Sequence, residues 1–502
     1  MNPLEVIASK DVKEIQKIFK RPAFADKQAK AMKEYEVADH DVYDPTIRKA
    51  TIATIGTGET RPGTDEEVTS QETIEPARIG MPFQGLIVDR RVGFMLTIPV
   101  SLKPVYETGS EKEKDLVKMI ESILDDNKME YLDKQIARIM MSELECAECW
   151  YFVKNTKRIG KTVPKFTLRC NIWAASKGDE LFPMFNAFGD MIAFARKYEL
   201  MEEDKKIEHY DVYTNDFEYS YAKREGEWVL EPLFDAETYE PIPNPNPNII
   251  KKVKIIYHSQ PKAEWDDVGA MISRIEESVS NHADMNDYFG APILTVEGEV
   301  RGWSKKGEQG RILELMKDAR ANYLALNAPP ESIKMEQENL KNSIMDLSQT
   351  PDISFKAMSG MGTIAQFTMK AFFMDAHMAV SKKEEVFGLG LRRRINLIKS
   401  CIALLIDTSF SAVVDSVRIK PVITPYLPQN DTEIIENLTV AKAGGIMSAE
   451  TCVEQNPLVE NSETELKRLA ADEAKEIAER EVEIGSIGGK ANNPSIKINK
   501  AS

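Results

Sequence analysis

Apolar residues recur at helical spacing along much of the chain. Leu116, Met119, Ile120, Ile123 and Leu124 share one stripe, and Tyr131, Leu132, Ile136, Ile139 and Met140 share a second, which predicts two helices packed on a core. Trp265, Val268, Ile272, Ile275 and Val279 alternate at three- and four-residue steps, predicting a helix over 264–289 with one apolar seam. Asp266 and Asp267 fall in its first turn, where negative charge complements the helix dipole. Leu340, Ile344 and Leu347 predict another helix over 331–349, and Pro329 and Pro330 suit its start. A long helical stretch runs from Thr363 to about Asp407, with Gly388 and Gly390 as points where it weakens and can bend. A last helix, Lys467 to Glu483, is built from Ala, Glu, Lys and Arg.

Between Trp150 and Leu230 the pattern changes to short runs, YFV, FTLRCNIW, YDVYT, FEYSYA and EWVL, rich in β-branched and aromatic residues and separated by Lys, Gly and Glu. These predict an antiparallel β-rich region. The segment 290–330, with ILTVEG and the Gly-bounded EVRGWSKKGEQG, reads as a small β-containing excursion between two helices, and VRIKPVITPYLP as a short strand. The fold class is α+β. Residues 52–80, rich in Gly, Thr, Glu and Pro without a period, read as a mobile loop. PIPNPNPN at 241–248 reads as a turn or linker at a boundary, and 484–502 as a disordered tail.

Length and composition add limits. With 502 residues, 42% hydrophobic and 29% charged, the chain can hold several parts and bury a core. Five cysteines, at 146, 149, 170, 401 and 452, fit a reducing compartment with free thiols. Met1 to Lys20 has no signal-peptide core, and no segment is apolar enough to span a bilayer, so assembly in cytoplasm is expected. A net charge of −16 argues against a surface that grips nucleic acid; DNA nearby should slide.

Candidate chemistry is sparse. Gly485 to Lys490 (GSIGGK) has the wrong spacing for a phosphate-binding loop and is followed by Ala491. Cys146 and Cys149 form a C-x-x-C, but His40, His209, His258, His282 and His377 supply no paired spacing to complete a zinc site. The bland reading is two small buried residues near a helix end. Arg392, Arg393 and Arg394 follow Lys382, Lys383, Glu384 and Glu385, a mixed-sign run typical of a solvated helix face or a subunit contact, with DNA contact the lesser alternative. No catalytic residue, metal ligand or cofactor is assigned.

The order of elements, with LIVDRRVGFMLTIPV (86–100), DNKMEYLDKQIARIMMSELECAECWYFVK, EWDDVGAMISRIEESVSNHADMNDYF, SQTPDISFKAMSGMGTIAQFTMKAFFM and LPQNDTEIIENLTVAKAGGIMSAETCVEQNPLVENSETELKRL, resembles the portal proteins of long-tailed double-stranded DNA bacteriophages over roughly residues 80–475. The long acidic N-terminal loop departs from that pattern.

The resemblance implies a ring of twelve copies at one capsid vertex, a structural protein and not an enzyme. It implies an N-terminal segment (1–80), a wing (81–263), a first stem helix (264–289), a clip (290–330) and a second stem helix (331–349). A tunnel loop (350–362), a long helix with a wing strand (363–425), a crown (426–483) and a tail (484–502) follow. Implied partners are the terminase large subunit, a head-tail adaptor, major capsid and scaffolding proteins, and duplex DNA passing non-specifically. In the tunnel loop Asp352, Ser354, Phe355, Lys356, Met358 and Ser359 are the candidate channel residues. Arg301, Trp303, Lys305 and Lys306 are the candidate clip contacts. The competing expectations are another ring-forming neck protein of the virion and an unrecognised DNA-processing enzyme.

Overall fold

The structure, a computed structural model, describes residues 3–60, 67–154, 166–202, 204–231, 233–234, 241–289, 293–297, 300–303, 313–315, 320–324, 330–353, 371, 373–426, 431–459 and 461–488. These divide into two compact units, one of residues 1–353 with 374–426 and one of 354–373 with 427–502. Helix and strand are mixed, at 50% and 23%.

Three helices open the first unit: α1 (Pro3–Ala8), α2 (Val12–Ile18) and α3 (Ala25–Tyr35). Asp11 caps α2, its carboxylate accepting from the amides of Lys13 at 3.0 Å and Glu14 at 3.4 Å. Where the sequence predicts a mobile loop, β1 (Thr51–Thr60) and β2 (Glu67–Ile74) pair as an antiparallel hairpin. Threonine suits a strand, but with Ile52 and Ile74 exposed no alternating apolar face marks it in the sequence.

Next come α4 (Phe83–Leu96), β3 (Ser101–Tyr106), α5 (Glu111–Asp126) and α6 (Met129–Glu143). A capping box starts α5: Ser110 accepts from the Glu113 amide at 3.4 Å, and the Glu113 carboxylate accepts from the Ser110 amide at 3.1 Å. Both expected stripes are buried at Leu116, Ile120, Ile123, Ile136 and Met140. Tyr131 is the exception at 57% exposed. It sits about 140° around the helix from Ile136, so it cannot share that stripe.

The β-rich region is antiparallel, as its pattern predicts. It comprises β4 (Glu145–Lys154), β5 (Phe166–Trp173), β6 (Glu180–Phe185), β7 (Met191–Glu202), β8 (Lys205–Thr214), β9 (Phe217–Arg224) and β10 (Glu227–Leu230). Shorter strands follow, β11 (Leu233–Phe234), β12 (Pro241–Ile242), β13 (Asn246–Pro247) and β14 (Ile255–Ser259). One sheet runs β10-β9-β8-β7-β6 with β13 also on β9, and a second runs β14-β4-β5. Residues 241–248 are therefore no boundary linker. β13 is paired, and Asn248 donates to the carbonyls of Thr214 at 2.9 Å and Lys252 at 2.8 Å, so the segment is tied into the sheet instead of separating parts.

Strand alternation sorts these layers. Ile7, Val12 and Ile15 from α1 and α2, with Phe19 just after α2, pack with Ala193, Ala195, Tyr210 and Val212 on one face of the larger sheet. Phe194 faces the other way, against Ala147, Cys149, Ile255 and Tyr257 of the smaller sheet. The opposite face of that sheet carries Cys146, Glu148 and His258 toward α6 and the long helix described next. Cys146 and Cys149 are buried just past the end of α6, on strand β4, and point to opposite faces. Burial pushes both thiols up, Cys149 to about 12, and they cannot act as a pair.

The remaining elements of this unit are α7 (Gly269–Phe289), β15 (Ile293–Glu297), β16 (Val300–Trp303), β17 (Leu313–Leu315), β18 (Arg320–Leu324), α8 (Pro330–Leu347), α9 (Met374–Cys401) and β19 (Val417–Val422). Residues 264–268 form turns, so α7 begins later than the seam suggests. That seam, Trp265, Val268, Ile272 and Ile275, is buried within the single chain, with Trp265 stacked on Tyr35 of α3 and donating to Glu34 at 2.9 Å. β15 pairs with β18 and β16 with β17, the small β excursion expected between two helices. The expected long helix is continuous through Gly388 and Gly390 and ends in a π-helical turn at Ile402–Ile406; most of 363–372 lies outside the described residues.

In the second unit the described helices are α10 (Asp431–Ala443), α11 (Ala449–Glu454) and α12 (Ser462–Gly488). α12 continues past 483, so the start of the expected disordered tail is helical, and 489–502 lies outside the described residues.

Candidate functional site

The loop expected from 350 is described to 353. α8 ends at a left-handed Gln349, φ +54°, and the Thr350 amide returns to the Met345 carbonyl at 2.9 Å. Two adjacent arginines of α4 fix this end. Arg90 donates to the Pro351 carbonyl at 2.7 Å and stands 3.6 Å from the Asp352 carboxylate, and Arg91 donates to the Ser348 carbonyl at 2.6 Å. Lys341 of α8 is 3.3 Å from the other Asp352 oxygen. Behind Arg91 lies the buried Glu264, 3.7 Å away, which also pairs with Lys383 of α9. Asp352 is therefore a tethered root of the loop, while Ser354, Phe355, Lys356, Met358 and Ser359 lie outside the described residues. The sequence carries Arg90 and Arg91 as a bare RR inside an apolar helix, a signal that buried partners would be needed.

At the excursion, Arg301 falls in the irregularity of β16 between the Val300–Leu315 and Gly302–Glu314 pairs, and Trp303 pairs with Leu313. Lys305 and Lys306 lie outside the described residues.

α7 carries a polar stripe that its apolar seam obscures in the sequence. The amides of Met81, Ile79 and Ala77 donate to Glu276 at 2.7 Å, Ser280 at 3.0 Å and Asp284 at 2.6 Å. Two extended residues advance about as far as one helical turn, so alternate strap residues meet successive turns of an oppositely directed helix. Arg48 closes the far end, pairing with Asp284 and donating to Asn281 at 2.8 Å. At the near end His40 Nδ1 meets Glu276 at 2.7 Å. Burial opposes the charged imidazole, but the Glu276 hydrogen bond and charge outweigh it and raise the His40 pKa.

The most heavily charged buried cluster joins α9 to the smaller sheet. Arg394 grips Glu148 with two bonds, 2.9 and 2.7 Å, and meets Asp133 of α6 at 2.6 Å. His258 and Trp150 supply further bonds to Glu148 at 2.6 and 3.0 Å. Burial would raise the Glu148 carboxyl, yet the guanidinium and His258 hold it down at about 2, whereas burial wins at Asp133, whose pKa is raised. An ionised Glu148 only accepts, so His258 Nε2 carries the hydrogen. Arg394 is thus a buried structural residue, not part of a solvated or DNA-facing run; Arg392 and Arg393 are exposed. The Glu148 carboxylate and the Arg394 guanidinium are met by other protein groups, while the buried His258 Nδ1 has no hydrogen-bond partner among the described residues. Among the described residues no group of three or more His, Cys, Asp or Glu is placed to hold a metal ion, and no helix is long and apolar enough to cross a membrane.

Comparison with known proteins matches residues 16–479 to a family described as phage portal protein, SPP1 Gp6-like. The portal protein of Bacillus phage SPP1 is 22% identical over 283 residues, covering 53% of this chain and 54% of the relative. The chain thus spans about half the length of that curated relative in alignment.

Proposed function

The chain belongs to the SPP1 Gp6-like family of phage portal proteins, and from that membership we propose that it forms a ring at one capsid vertex, through which DNA is packaged and ejected. The proposed number of copies is twelve. In this reading residues 81–263 are the wing, 264–289 and 331–349 the stem helices, 290–330 the clip, 350–362 the tunnel loop, 363–425 the long helix and wing strand, and 426–483 the crown. The clip, with Arg301, Trp303, Lys305 and Lys306, docks the terminase large subunit during packaging and the head-tail adaptor afterwards. The crown and wing rim meet capsid and scaffolding proteins.

One observation carries this reading beyond family membership. α7 and α8 stand together, joined by the Arg274–Glu336 ion pair at 2.9 Å, and the chain between them folds as two small antiparallel strand pairs. A 21-residue α7 reaches about 30 Å, long enough to hold such a tip away from the layered body. Because the α7 seam is filled within the chain, ring contacts must use other surfaces, and the stem contributes reach more than adhesion. α8 also leads directly into the loop held by Arg90 and Arg91. A loop on so fixed a root can touch passing DNA without loosening the helices beside it. The net charge of −16 suits sliding, since few phosphates would be neutralised.

Native mass measurement and electron microscopy of the purified chain test the proposal. One closed species near twelve copies with a central hole is expected, and a monomer at all salt concentrations would overturn it.

A further inference from the structure

The β3–β19 ribbon carries different chemistry on its two faces. Lys103 pairs directly with Lys420, and Val105 with Arg418, so these side chains share one face of the two strands. All four are exposed, and none of the three cationic groups has an ion-pair partner among the described residues. Neither strand contains an acid. Like charges directly opposite each other destabilise a strand pair, so this face carries a standing repulsion that an anionic neighbour would relieve.

The other face supplies the opposite half. Leu102 and Pro421, themselves register partners, alternate with those cations and line a cavity of about 510 Å³ between the ribbon, the junction of α5 with α6, and α9. Its walls are buried and apolar at Met129, Leu391 and Ile395, while Glu121, Asp125 and Glu130 stand exposed at its rim beside one base, Lys128. Glu121 and Asp125 are four residues apart on α5, a like-charge spacing that destabilises a helix, and neither carboxylate has a hydrogen bond or ion pair among the described residues. Partial burial and the Asp125 charge raise the Glu121 pKa, with Lys118 opposing. Deeper in, Asp133 is 4% exposed and forms an ion pair with Arg394 at 2.6 Å, yet its Oδ1 accepts no aligned hydrogen bond. The cavity thus offers unfilled acceptors from rim to floor between apolar walls. A lysine brings three donors on an apolar stem.

We propose that in the assembled ring the cationic β3–β19 face of one copy seats on the acidic cavity of the next, with Lys103 and Lys420 meeting Glu121 and Asp125. Lys103 and Lys420 project away from the cavity of their own chain, because Leu102 and Pro421 between them face it. One ribbon therefore carries both halves of a joint on opposite sides. That is a heterologous, head-to-tail arrangement, the kind that closes into rings. Duplex DNA would relieve the cations but leave Glu121 and Asp125 repelling each other, whereas a second copy relieves both. The joint rests on the ring reading above and is one of the contacts that hold the ring.

The test uses full-length protein and charge exchange at four exposed positions. Lys103→Glu with Lys420→Glu should lower by at least roughly two-fold the salt concentration at which half of the rings dissociate, because the contact is electrostatic and its rim is exposed. Glu121→Lys with Asp125→Lys should do the same, and all four substitutions together should restore the wild-type midpoint. Restoration separates a lost contact from a folding defect. Zero-length carbodiimide cross-linking of rings assembled from mixed light and heavy copies should join peptides containing Lys103 or Lys420 to peptides containing Glu121 or Asp125, on different copies. Unchanged midpoints, reversals that are not rescued together, or cross-links confined to one copy would overturn the proposal. Loss of duplex DNA binding on Lys103→Glu with Lys420→Glu, with ring stability unaltered, would overturn it as well and assign the face to nucleic acid. A wild-type chain that forms no ring would overturn the ring reading and this joint with it, a result distinct from rings that ignore the substitutions.

Discussion

Gly390 lies beneath the ring of His258. A Cβ at Gly390 would stand 2.2 Å from Cε1 and 2.6 Å from Nδ1 of the imidazole. The glycine is therefore where the long helix approaches β14 closely, and the helix continues unbroken past it. His258 cannot yield, because its Nε2 is held by Glu148, which Arg394 holds in turn.

Gly390→Ala should therefore destabilise the protein by about 1–3 kcal/mol, the usual cost of forcing a methyl into a packed core. Gly388→Ala is the control. Its Cβ would meet nothing closer than Glu384 Cγ at 3.8 Å, so helix propensity should stabilise it by about 0.5–1 kcal/mol. Thermal or denaturant unfolding of the two variants checks both, and equal effects would show that the His258 contact does not constrain the helix.

Arg394→Met should cost about 3–5 kcal/mol, because it strands two buried carboxylates, Glu148 and Asp133. The pH dependence has a defined sign. With its pKa depressed from 4.5 to about 2, Glu148 contributes stability fully present above about 4.5 and lost as pH falls toward about 2. Asp133, raised by burial, works in the opposite sense. Glu148→Gln should therefore flatten the acid limb of the stability curve, and a variant that unfolds in acid like the parent would contradict this.

His40 should give the opposite limb. Its pKa is raised above 6.5, so the His40–Glu276 bond contributes stability fully present below about 6.5 and lost as pH climbs through the folded value. Glu34, Lys30, Lys33 and Asp41 border the same site, and His40→Gln isolates the contribution of the imidazole. Urea unfolding between pH 5 and pH 9 should show the parent losing stability that the variant does not.

What the sequence made legible follows from where periodicity is strong. The α5 and α6 stripes, the antiparallel strands after Trp150 and the β excursion between two helices are all visible as patterns. The β1–β2 hairpin was hidden because its sequence carries no alternating apolar pattern, and Ile52 and Ile74 at its base are exposed. Arg394 was hidden for the opposite reason: in sequence it is one of three arginines, and only the burial of Asp133 and Glu148 distinguishes it from Arg392 and Arg393. The polar stripe of α7 was masked by its own seam, since Glu276, Ser280 and Asp284 look like an ordinary solvated face until the strap at 77–81 is laid on them. For the candidate channel and clip residues the sequence offers type and order, and the structure adds the anchoring of Asp352 and the strand positions of Arg301 and Trp303.

The root of the loop offers the most direct separation of folding from function. Arg90 donates to the Pro351 carbonyl, more weakly to Met345 Sδ, and makes one longer ion pair to Asp352, so Arg90→Ala should cost about 1–3 kcal/mol and leave ring formation intact. It should, however, free the segment after α8, seen as faster protease cleavage within 350–362. If that segment lines the narrowest part of the channel, loosening its root should reduce the DNA retained in filled heads. Phe355→Ala with Lys356→Ala, which alters the loop and spares the root, should give the same retention defect without the faster cleavage. Agreement of the two variants in retention, with normal rings in both, would place the loop against DNA. Normal retention in both would show that 350–362 is an ordinary connection between helices, and failure of Phe355→Ala with Lys356→Ala to fold would place Phe355 in a core instead.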